Sequence, residues 1–247
     1  MSTRPVETCK LCHEEKQLRY SHVIPEFMYL EMYDEKHRAL KVESDPDTRQ
    51  RFAQKGEREF LFCDDCEGRL GKFENYSSPI VKLLLALEVE EDDGTYTVRD
   101  INYQSFKLFQ MSLLWRASVA SIDMFGNIAL GSHEERLRRM LLSEDPGPPD
   151  QYGCMMVAMQ DTKYMHRIIW SPETDQIDGL PVYRFQTGRL FWYFFLPNAI
   201  PAGAANHFLT EGGNLRVPKA PWTEEVVMQR LAGPIAEARK KAGGDGG

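Results

Sequence analysis

The sequence predicts an α+β protein in which a small metal-stabilised module precedes a helical segment and an antiparallel β-sheet domain. Three observations predict this fold class. Two CxxC pairs lie in the first third of the 247 residues, an apolar stripe with helical spacing follows, and short apolar segments separated by turns fill the chain after the proline-rich segment 146–149. We place the module at residues 1–80, the α+β domain at 81–242 and a disordered tail at 243–247.

Composition and charge restrict the function classes. The chain has 37 acidic and 30 basic residues, a net charge of −7 and 42% hydrophobic residues, which is typical of a globular protein. The negative charge argues against a protein that coats nucleic acid over its whole surface. The N-terminal residues lack the apolar core of a signal peptide, and the apolar stretch 108–120 is too short and too polar to span a bilayer. We therefore expect a cytoplasmic protein with no membrane partner.

The two CxxC pairs, Cys9 with Cys12 and Cys63 with Cys66, predict a structural zinc site. Thiols stay reduced in the cytoplasm, so clustered cysteines indicate metal ligands before disulfides. Two pairs supply the four thiolates of a closed tetrahedral site, which contributes folding free energy rather than chemistry. The fifth cysteine, Cys154, lies in an apolar stretch and is predicted to be a small buried side chain.

The order of predicted elements around the cysteines is typical of a treble-clef (ββα) zinc finger. The segment 21–25 is predicted to be extended, because the residue before a proline is pushed towards the β region. Strands are predicted at 38–42 and 59–62, on either side of an exposed loop at 44–56. A helix over 67–76 then follows the last cysteine.

Periodicity assigns the remaining elements. Helical spacing predicts a short helix over 26–35, a long one over 103–121 and another that begins after Ser132. A final helix is predicted to open after Pro221. The predicted strands of the C-terminal half are 154–160, 164–170, 182–186, 189–196 and 207–210.

The residues around the cysteines resemble the HNH (ββα-metal) endonucleases. The resemblance rests on the first CxxC pair, on Ser-His-Val-Ile-Pro at 21–25 and on Leu-Phe-Cys-Asp-Asp-Cys-Glu at 61–67, and it covers about the first 80 residues. The segment 103–140 is also similar to bacterial proteins of unassigned function that carry the same N-terminal motifs, some of them linked to anti-phage defence.

The resemblance implies phosphodiester cleavage with a catalytic Mg²⁺ or Mn²⁺ and a histidine that takes a proton from the attacking water. The catalytic histidine of the family corresponds to His22, and the metal ligand before it corresponds to Ser21. The final histidine of the family motif corresponds to Glu67, and its asparagine corresponds to Arg58. Serine and arginine depart from the family pattern, because serine is a poorer ligand than aspartate and arginine does not ligate. A shifted site of His22, Glu67 and Glu74, and an inactive site, both fit these residues.

Each candidate also has a structural interpretation. His22 could be a structural histidine that bonds the backbone of a zinc knuckle. Glu67 could be a carboxylate that stabilises the first turn of a helix, and Glu74 could be a solvated helix residue. The basic residues in the segment 49–58 could bind the phosphate backbone of a nucleic acid, or they could belong to a loop that faces solvent. The aromatic run 191–195 suits a base-stacking platform or a buried strand.

The sequence thus predicts an HNH-like metal-dependent nuclease with a structural Zn²⁺, with His22 as general base and with nucleic acid, DNA rather than RNA, as substrate. The alternative is a non-catalytic zinc-finger protein with a degenerate HNH site that binds nucleic acid or a protein. A third hypothesis makes residues 81–242 the sensor of a signal and the module its effector. In each case a protein partner is expected to bind the C-terminal domain.

Overall fold

The computed structural model describes residues 4–33, 35, 39–42, 51–53, 56–87, 89–92, 95–122, 125, 128–160 and 168–221. Within these residues the chain forms three α-helices and two β-sheets, so the predicted α+β class is confirmed. The helices are α1 (Asp64–Ala86), α2 (Tyr103–Val119) and α3 (Ser132–Ser143). The strands are β1 (Val6–Thr8), β2 (Glu15–His22), β3 (Ala39–Val42), β4 (Arg51–Ala53), β5 (Arg58–Cys63), β6 (Glu90–Asp92), β7 (Thr95–Val98), β8 (Cys154–Gln160), β9 (Ile168–Ile177), β10 (Leu180–Thr187), β11 (Leu190–Phe195) and β12 (Leu215–Pro221).

A three-stranded antiparallel sheet of order β1-β2-β5 lies next to helix α1. Strand β5 leads directly into the helix, because Cys63 is both its last residue and the N-cap of α1. A bulge between Arg19 and Tyr20 shifts the register of β2 against β5. The order of strand, strand and helix is the one predicted from the sequence, whereas its assignment to the treble-clef class stays a prediction.

Helix α1 is much longer than the predicted segment 67–76. Glycines at 68 and 71 and Pro79 lower its intrinsic propensity, but the helix continues through them to Ala86. Its buried face, which includes Leu70, Phe73, Val81 and Leu84, packs into the core. Tertiary packing of that face therefore outweighs the propensity. The boundary predicted at residue 80 falls inside this helix, and the division into two domains stays a prediction.

The second sheet has nine strands in the order β4-β3-β9-β10-β11-β8-β12-β7-β6. The prediction of an antiparallel sheet was right only in part. Strands β9, β10, β11 and β8 are antiparallel neighbours, but β3 pairs with β9 and β12 pairs with β8 in parallel. The sheet is mixed because strands from distant parts of the chain extend it on both sides of the central meander. One of them, β3, comes from between the two cysteine pairs.

Helix α2 is the centre of the molecule and confirms the helix predicted over 103–121. Twelve consecutive residues, 106–117, are buried, so the helix is covered on every side. Trp115 stacks on Phe62 of β5 with ring centroids 5.7 Å apart, and Phe109 meets Trp192 of β11 edge-on at 6.2 Å. One core therefore joins the N-terminal module to the nine-stranded sheet.

The structure corrects several other predictions, and some predictions concern residues that it does not describe. Two 3-10 turns, Glu26–Met28 and Leu30–Met32, occupy the place of the short helix predicted over 26–35. The strand predicted at 207–210 was wrong, because a 3-10 turn, Ala204–His207, precedes the actual strand β12. Strand β4 lies within the segment 44–56 that was predicted to be a loop, so that prediction was wrong for Arg51–Ala53. Outside the described residues lie the segment of the predicted final helix, the tail 243–247, most of the segment 44–56 and the start of the strand predicted at 164–170.

Candidate functional site

The four cysteines predicted as zinc ligands lie together. Their Sγ atoms are all within 4.8 Å of one another, and Cys12 and Cys63 are separated by 3.9 Å. Four sulfur atoms around a zinc ion with bonds of about 2.3 Å would lie about 3.8 Å apart, so the donor set fits tetrahedral zinc. Among the described residues this is the only such group of three or more metal-ligating side chains. Cys9, Cys63 and Cys66 are buried, as a structural site requires.

Backbone contacts hold the first knuckle against the second. The amide of His13 donates to the carbonyl of Cys9 at 2.9 Å, and the left-handed φ of 62° at His13 closes the turn. The amide of Lys10 donates to Leu61 of strand β5 at 2.9 Å, and the amide of Cys63 donates to Cys9 Sγ at 3.4 Å. These contacts hold both cysteine pairs against strand β5.

The thiols also polarise one another. A hydrogen bond from Cys66 lowers the pKa of the Cys9 thiol to about 4, and the same contact raises the pKa of Cys66. The cluster therefore favours a thiolate at Cys9. Since thiolates are the metal-ligating form, a divalent cation would favour loss of the remaining protons.

The predicted catalytic residues lie where strand β2 meets helices α1 and α2. Ser21 Oγ donates to Glu67 Oε2 at 2.6 Å. Arg116 Nη1 donates to the carbonyl oxygen of His22 at 3.4 Å, and Arg116 Nη2 forms a short ion pair with Glu74. We call these five residues the β2–α1 cluster. The three predicted catalytic residues are therefore linked. Ser21, the neighbour of His22 in the chain, bonds Glu67, and Arg116 bonds both His22 and Glu74.

Arg58 sits directly opposite His22 in the antiparallel pairing of β2 and β5. Its Nε donates to His22 Nε2 at 2.8 Å, so the ring proton of the neutral imidazole is assigned to Nδ1. Burial lowers the pKa of His22, the charge of Arg58 adds to this shift, and Glu26 opposes it. His22 is consequently neutral at pH 7, which is the protonation state that a general base needs.

Each predicted catalytic side chain also has a partner of its own. His22 Nε2 is bonded to Arg58, Glu67 to Ser21, and Glu74 to Arg116. In the described part of the chain the three do not form a three-ligand metal group. Their catalytic roles stay predictions.

Sequence reasoning missed the role of Arg116. The available signal was a basic residue within the most apolar helix, because a buried guanidinium requires a carboxylate partner. Its side chain is 3% exposed and its Cζ atom lies 5.7 Å from the ring centroid of Phe62. Arg116 thereby connects the central helix to the β2–α1 cluster.

The other sequence candidates take structural positions. Cys154 is buried, as predicted. The aromatic run 191–195 forms most of strand β11 and four of its five side chains are buried, which confirms the buried-strand interpretation. Within the basic segment 49–58, Arg49 and Lys55 lie outside the described residues.

The described part of the chain contains no helix of the length and apolarity that crossing a membrane requires. Comparison with known proteins gives no matching family model, no similar curated protein and no similar solved structure. The likeness to HNH endonucleases therefore rests on the motifs of the sequence.

Proposed function

We propose that this protein is a zinc-stabilised, HNH-like nuclease that hydrolyses phosphodiester bonds in the presence of Mg²⁺ or Mn²⁺. The observation that carries the proposal is the contact between Ser21 and Glu67, which are 46 positions apart in the chain. The resemblance assigns these two residues to the catalytic metal. Neutral His22 is adjacent to Ser21, and Glu74 is reached through Arg116.

The chemistry of the donors is compatible with a hard cation. Glu67 offers carboxylate oxygens next to the hydroxyl of Ser21, and oxygen ligands suit Mg²⁺ and Mn²⁺. Such ions keep several water ligands and are held by one or two carboxylates together with substrate phosphates, so Glu67 would share the ion with Ser21, water and a phosphate of the substrate. When bound there, the cation would stabilise the charge that develops on the leaving oxygen.

The remaining roles fall to residues around His22. The neutral imidazole would take the proton of the attacking water. For this Arg58 has to release Nε2, and its guanidinium has Glu26 Oε2 at 3.7 Å as a second partner. A substrate phosphate offers a third partner, because arginine binds phosphate oxygens in a bidentate manner. DNA is the favoured substrate, with a protein partner on residues 81–242.

Cleavage assays on the zinc-loaded chain test the proposal. Plasmid DNA, single-stranded DNA and RNA are incubated with Mg²⁺ or Mn²⁺ and either wild type, His22→Ala or Glu67→Gln. We expect metal-dependent cleavage that falls about 100-fold or more in His22→Ala, since a general base contributes a factor of that order. The matched controls are His13→Asn and Asp65→Asn, which change an exposed histidine and an exposed carboxylate in the first turn of α1.

A specific observation favours a second candidate function. The pairs His22–Arg58 and Glu74–Arg116 occupy the acceptor atoms that catalysis would use. The alternative is a non-catalytic zinc-finger protein that binds nucleic acid or another protein through the same module. Binding of labelled DNA or RNA without cleavage by the wild type, and unchanged affinity in His22→Ala, would support the alternative and contradict the nuclease proposal.

A further inference from the structure

Two cross-strand pairs lie side by side on one face of the three-stranded sheet. Beyond the bulge, Tyr20 of β2 is opposite Phe60 of β5, and His22 is opposite Arg58. Because side chains alternate between the two faces of a strand, Tyr20 and His22 share a face, and so do Phe60 and Arg58. Ser21 projects to the opposite face, where it contacts helix α1. An aromatic pair therefore adjoins the candidate general base and its arginine, about 7 Å along the strands.

The aromatic pair is open to solvent. Tyr20 is 59% exposed, and it is the only aromatic residue among the four large hydrophobic side chains that are exposed in the described part of the chain. The ring centroid of Phe60 lies 5.1 Å from that of Tyr20, and the two ring planes are tilted by 46°. Phe60 thus supports the tyrosine ring from one side and leaves most of it in water. Aromatic side chains on the face of a sheet are a common platform on which proteins stack unpaired bases.

Arg58 retains open hydrogen-bond donors beside this pair. Its Nε is bonded to His22, but its Nη2 lies 3.7 Å from Glu26 Oε2, which is longer than a hydrogen bond. Neither Nη1 nor Nη2 donates a hydrogen bond to any residue that the structure describes. The Arg58 side chain is 28% exposed, so a phosphate can reach these two nitrogens. Arginine binds phosphate through parallel N–H donors, and this face therefore offers a ring for a base and a cation for its phosphate.

We propose that this face binds single-stranded nucleic acid, with an unpaired base on Tyr20 and an adjacent phosphate on Arg58. A separation of about 7 Å along the strands is within the reach of one nucleotide. A duplex does not fit this site, because neighbouring base pairs cover the faces of its bases, whereas an unpaired base has a free face for stacking. The inference rests on the proposed function, since it names the substrate class of the site that contains His22. A phosphate on the guanidinium would also draw Arg58 away from His22 Nε2, the atom that a general base uses.

Fluorescence anisotropy with labelled oligothymidylate, oligouridylate and a blunt-ended DNA duplex tests the proposal on the full-length, zinc-loaded protein. No Mg²⁺ or Mn²⁺ is added, so the strands stay intact, and the two single strands distinguish DNA from RNA. We expect the preferred single strand to bind about tenfold or more tighter than the duplex.

Three variants separate the contributions of ring and charge. Tyr20→Ala should weaken the single strand about tenfold or more, because stacking of one base on an aromatic ring has an effect of that order. Tyr20→Phe keeps the ring and should bind like wild type. Arg58→Gln should lower the slope of log affinity against log salt concentration by about 0.7, the value for one phosphate contact on a single strand. Tyr20→Ala should leave that slope unchanged, because the ring contacts no phosphate.

Two further variants serve as controls. Leu83→Ala removes another exposed hydrophobic side chain, 43% exposed on helix α1, and should leave the affinities unchanged. Glu26→Gln removes the carboxylate that competes with a phosphate for Arg58, so it should bind the single strand more tightly than wild type. Because Tyr20 and Leu83 are both exposed, their substitutions are compatible with a folded protein.

The proposal is overturned by absence of binding of both single strands at low salt, which would leave the aromatic pair to a protein partner. Equal affinity for duplex and single strand, or wild-type affinity in Tyr20→Ala, would overturn it as well. Metal-dependent cleavage that is the same in wild type and Tyr20→Ala would contradict this inference and leave the nuclease proposal intact. Single-strand binding that Tyr20→Ala abolishes, in a protein that cleaves nothing, would support the binding face and contradict the nuclease.

Discussion

Ser21 Oγ donates a 2.6 Å hydrogen bond to Glu67 Oε2, and this contact fastens the end of strand β2 to the first turn of helix α1. Ser21 is buried, so this hydrogen bond is shielded from solvent competition, and the carbonyl of Arg19 is a second, more distant acceptor at 3.4 Å. In the HNH resemblance the position of Ser21 carries an aspartate. A single substitution, Ser21→Asp, would therefore place at this position the residue that the HNH pattern has there.

Ser21→Asp is expected to convert this contact into a metal-dependent one. Two carboxylates at that separation repel each other, so the variant should unfold at a lower temperature than wild type in the absence of added Mn²⁺. Mn²⁺ should then raise its melting temperature more than that of wild type, because binding to the native state alone stabilises it. Thermal unfolding with zinc retained measures both effects. Ser21→Asn is the neutral control, and an equal response of the two variants to Mn²⁺ would argue against a ligand position.

Glu74 is expected to contribute to stability through Arg116, whatever its role in catalysis. The Arg116 side chain is 3% exposed and that of Glu74 is 25% exposed. Removing the carboxylate leaves a buried guanidinium without its counter-ion, which typically costs about 3–5 kcal/mol. Urea unfolding of Glu74→Ala should therefore show a large loss of stability.

Two further variants separate this effect from a general cost of losing a glutamate. Glu26 is half exposed in its contact with Arg58, so Glu26→Ala should change the free energy of unfolding by less than about 1 kcal/mol. Adding Arg116→Met to Glu74→Ala should recover part of the lost stability, because the unpaired charge is then absent. A wild-type-like midpoint for Glu74→Ala would contradict the buried ion pair.

The features that the sequence predicted correctly are determined by local patterns of residues. Helix α2 has uninterrupted helical spacing, and the cysteine spacing alone identified the group of four cysteines that could hold a metal ion. Helix α1 was predicted too short because glycines and Pro79 weaken its local signal, whereas its stability comes from packing.

The parts that the sequence did not predict depend on contacts between distant positions. Strand β3 joins β9 across more than a hundred residues, and Arg116 reaches His22 across 94 positions. Among the described residues Trp115 Nε1 has no hydrogen-bond partner, and this too depends on what surrounds it in the fold. No periodicity or spacing within one segment carries information of this kind.

Zinc should be required for the N-terminal module to stay folded. Cys63 is both a predicted ligand and the N-cap of α1, so Cys63→Ala removes a ligand at the junction of sheet and helix. We expect the zinc content to fall from one ion per chain to a small fraction of that value and the cooperative unfolding transition to weaken. Elemental analysis and circular dichroism measure the two. Cys154→Ala is the matched control, because that cysteine is buried outside the cluster, and it should retain zinc.

Lys107 is expected to make the stability of the protein rise with pH. The side chain lies in the core on helix α2, where Nζ donates to the carbonyls of Pro149 at 3.0 Å and Tyr152 at 2.8 Å. Burial lowers its pKa from 10.5 to about 8. Between those two values the unfolded chain binds one proton more than the native chain, so the free energy of unfolding increases with pH.

The full effect over that window is about 3 kcal/mol, since each pH unit contributes about 1.4 kcal/mol. Below pH 8 Lys107 is protonated in both the native and the unfolded state, so its contribution to the free energy of unfolding no longer changes with pH. Urea unfolding of wild type and Lys107→Met between pH 7 and pH 10.5 isolates it, because the other titrating groups are common to both proteins. The stability of wild type should rise relative to Lys107→Met across this range, while Lys72→Met, an exposed substitution, should follow wild type. Parallel curves for wild type and Lys107→Met would mean that the ammonium keeps its charge in the core, held by the two carbonyls.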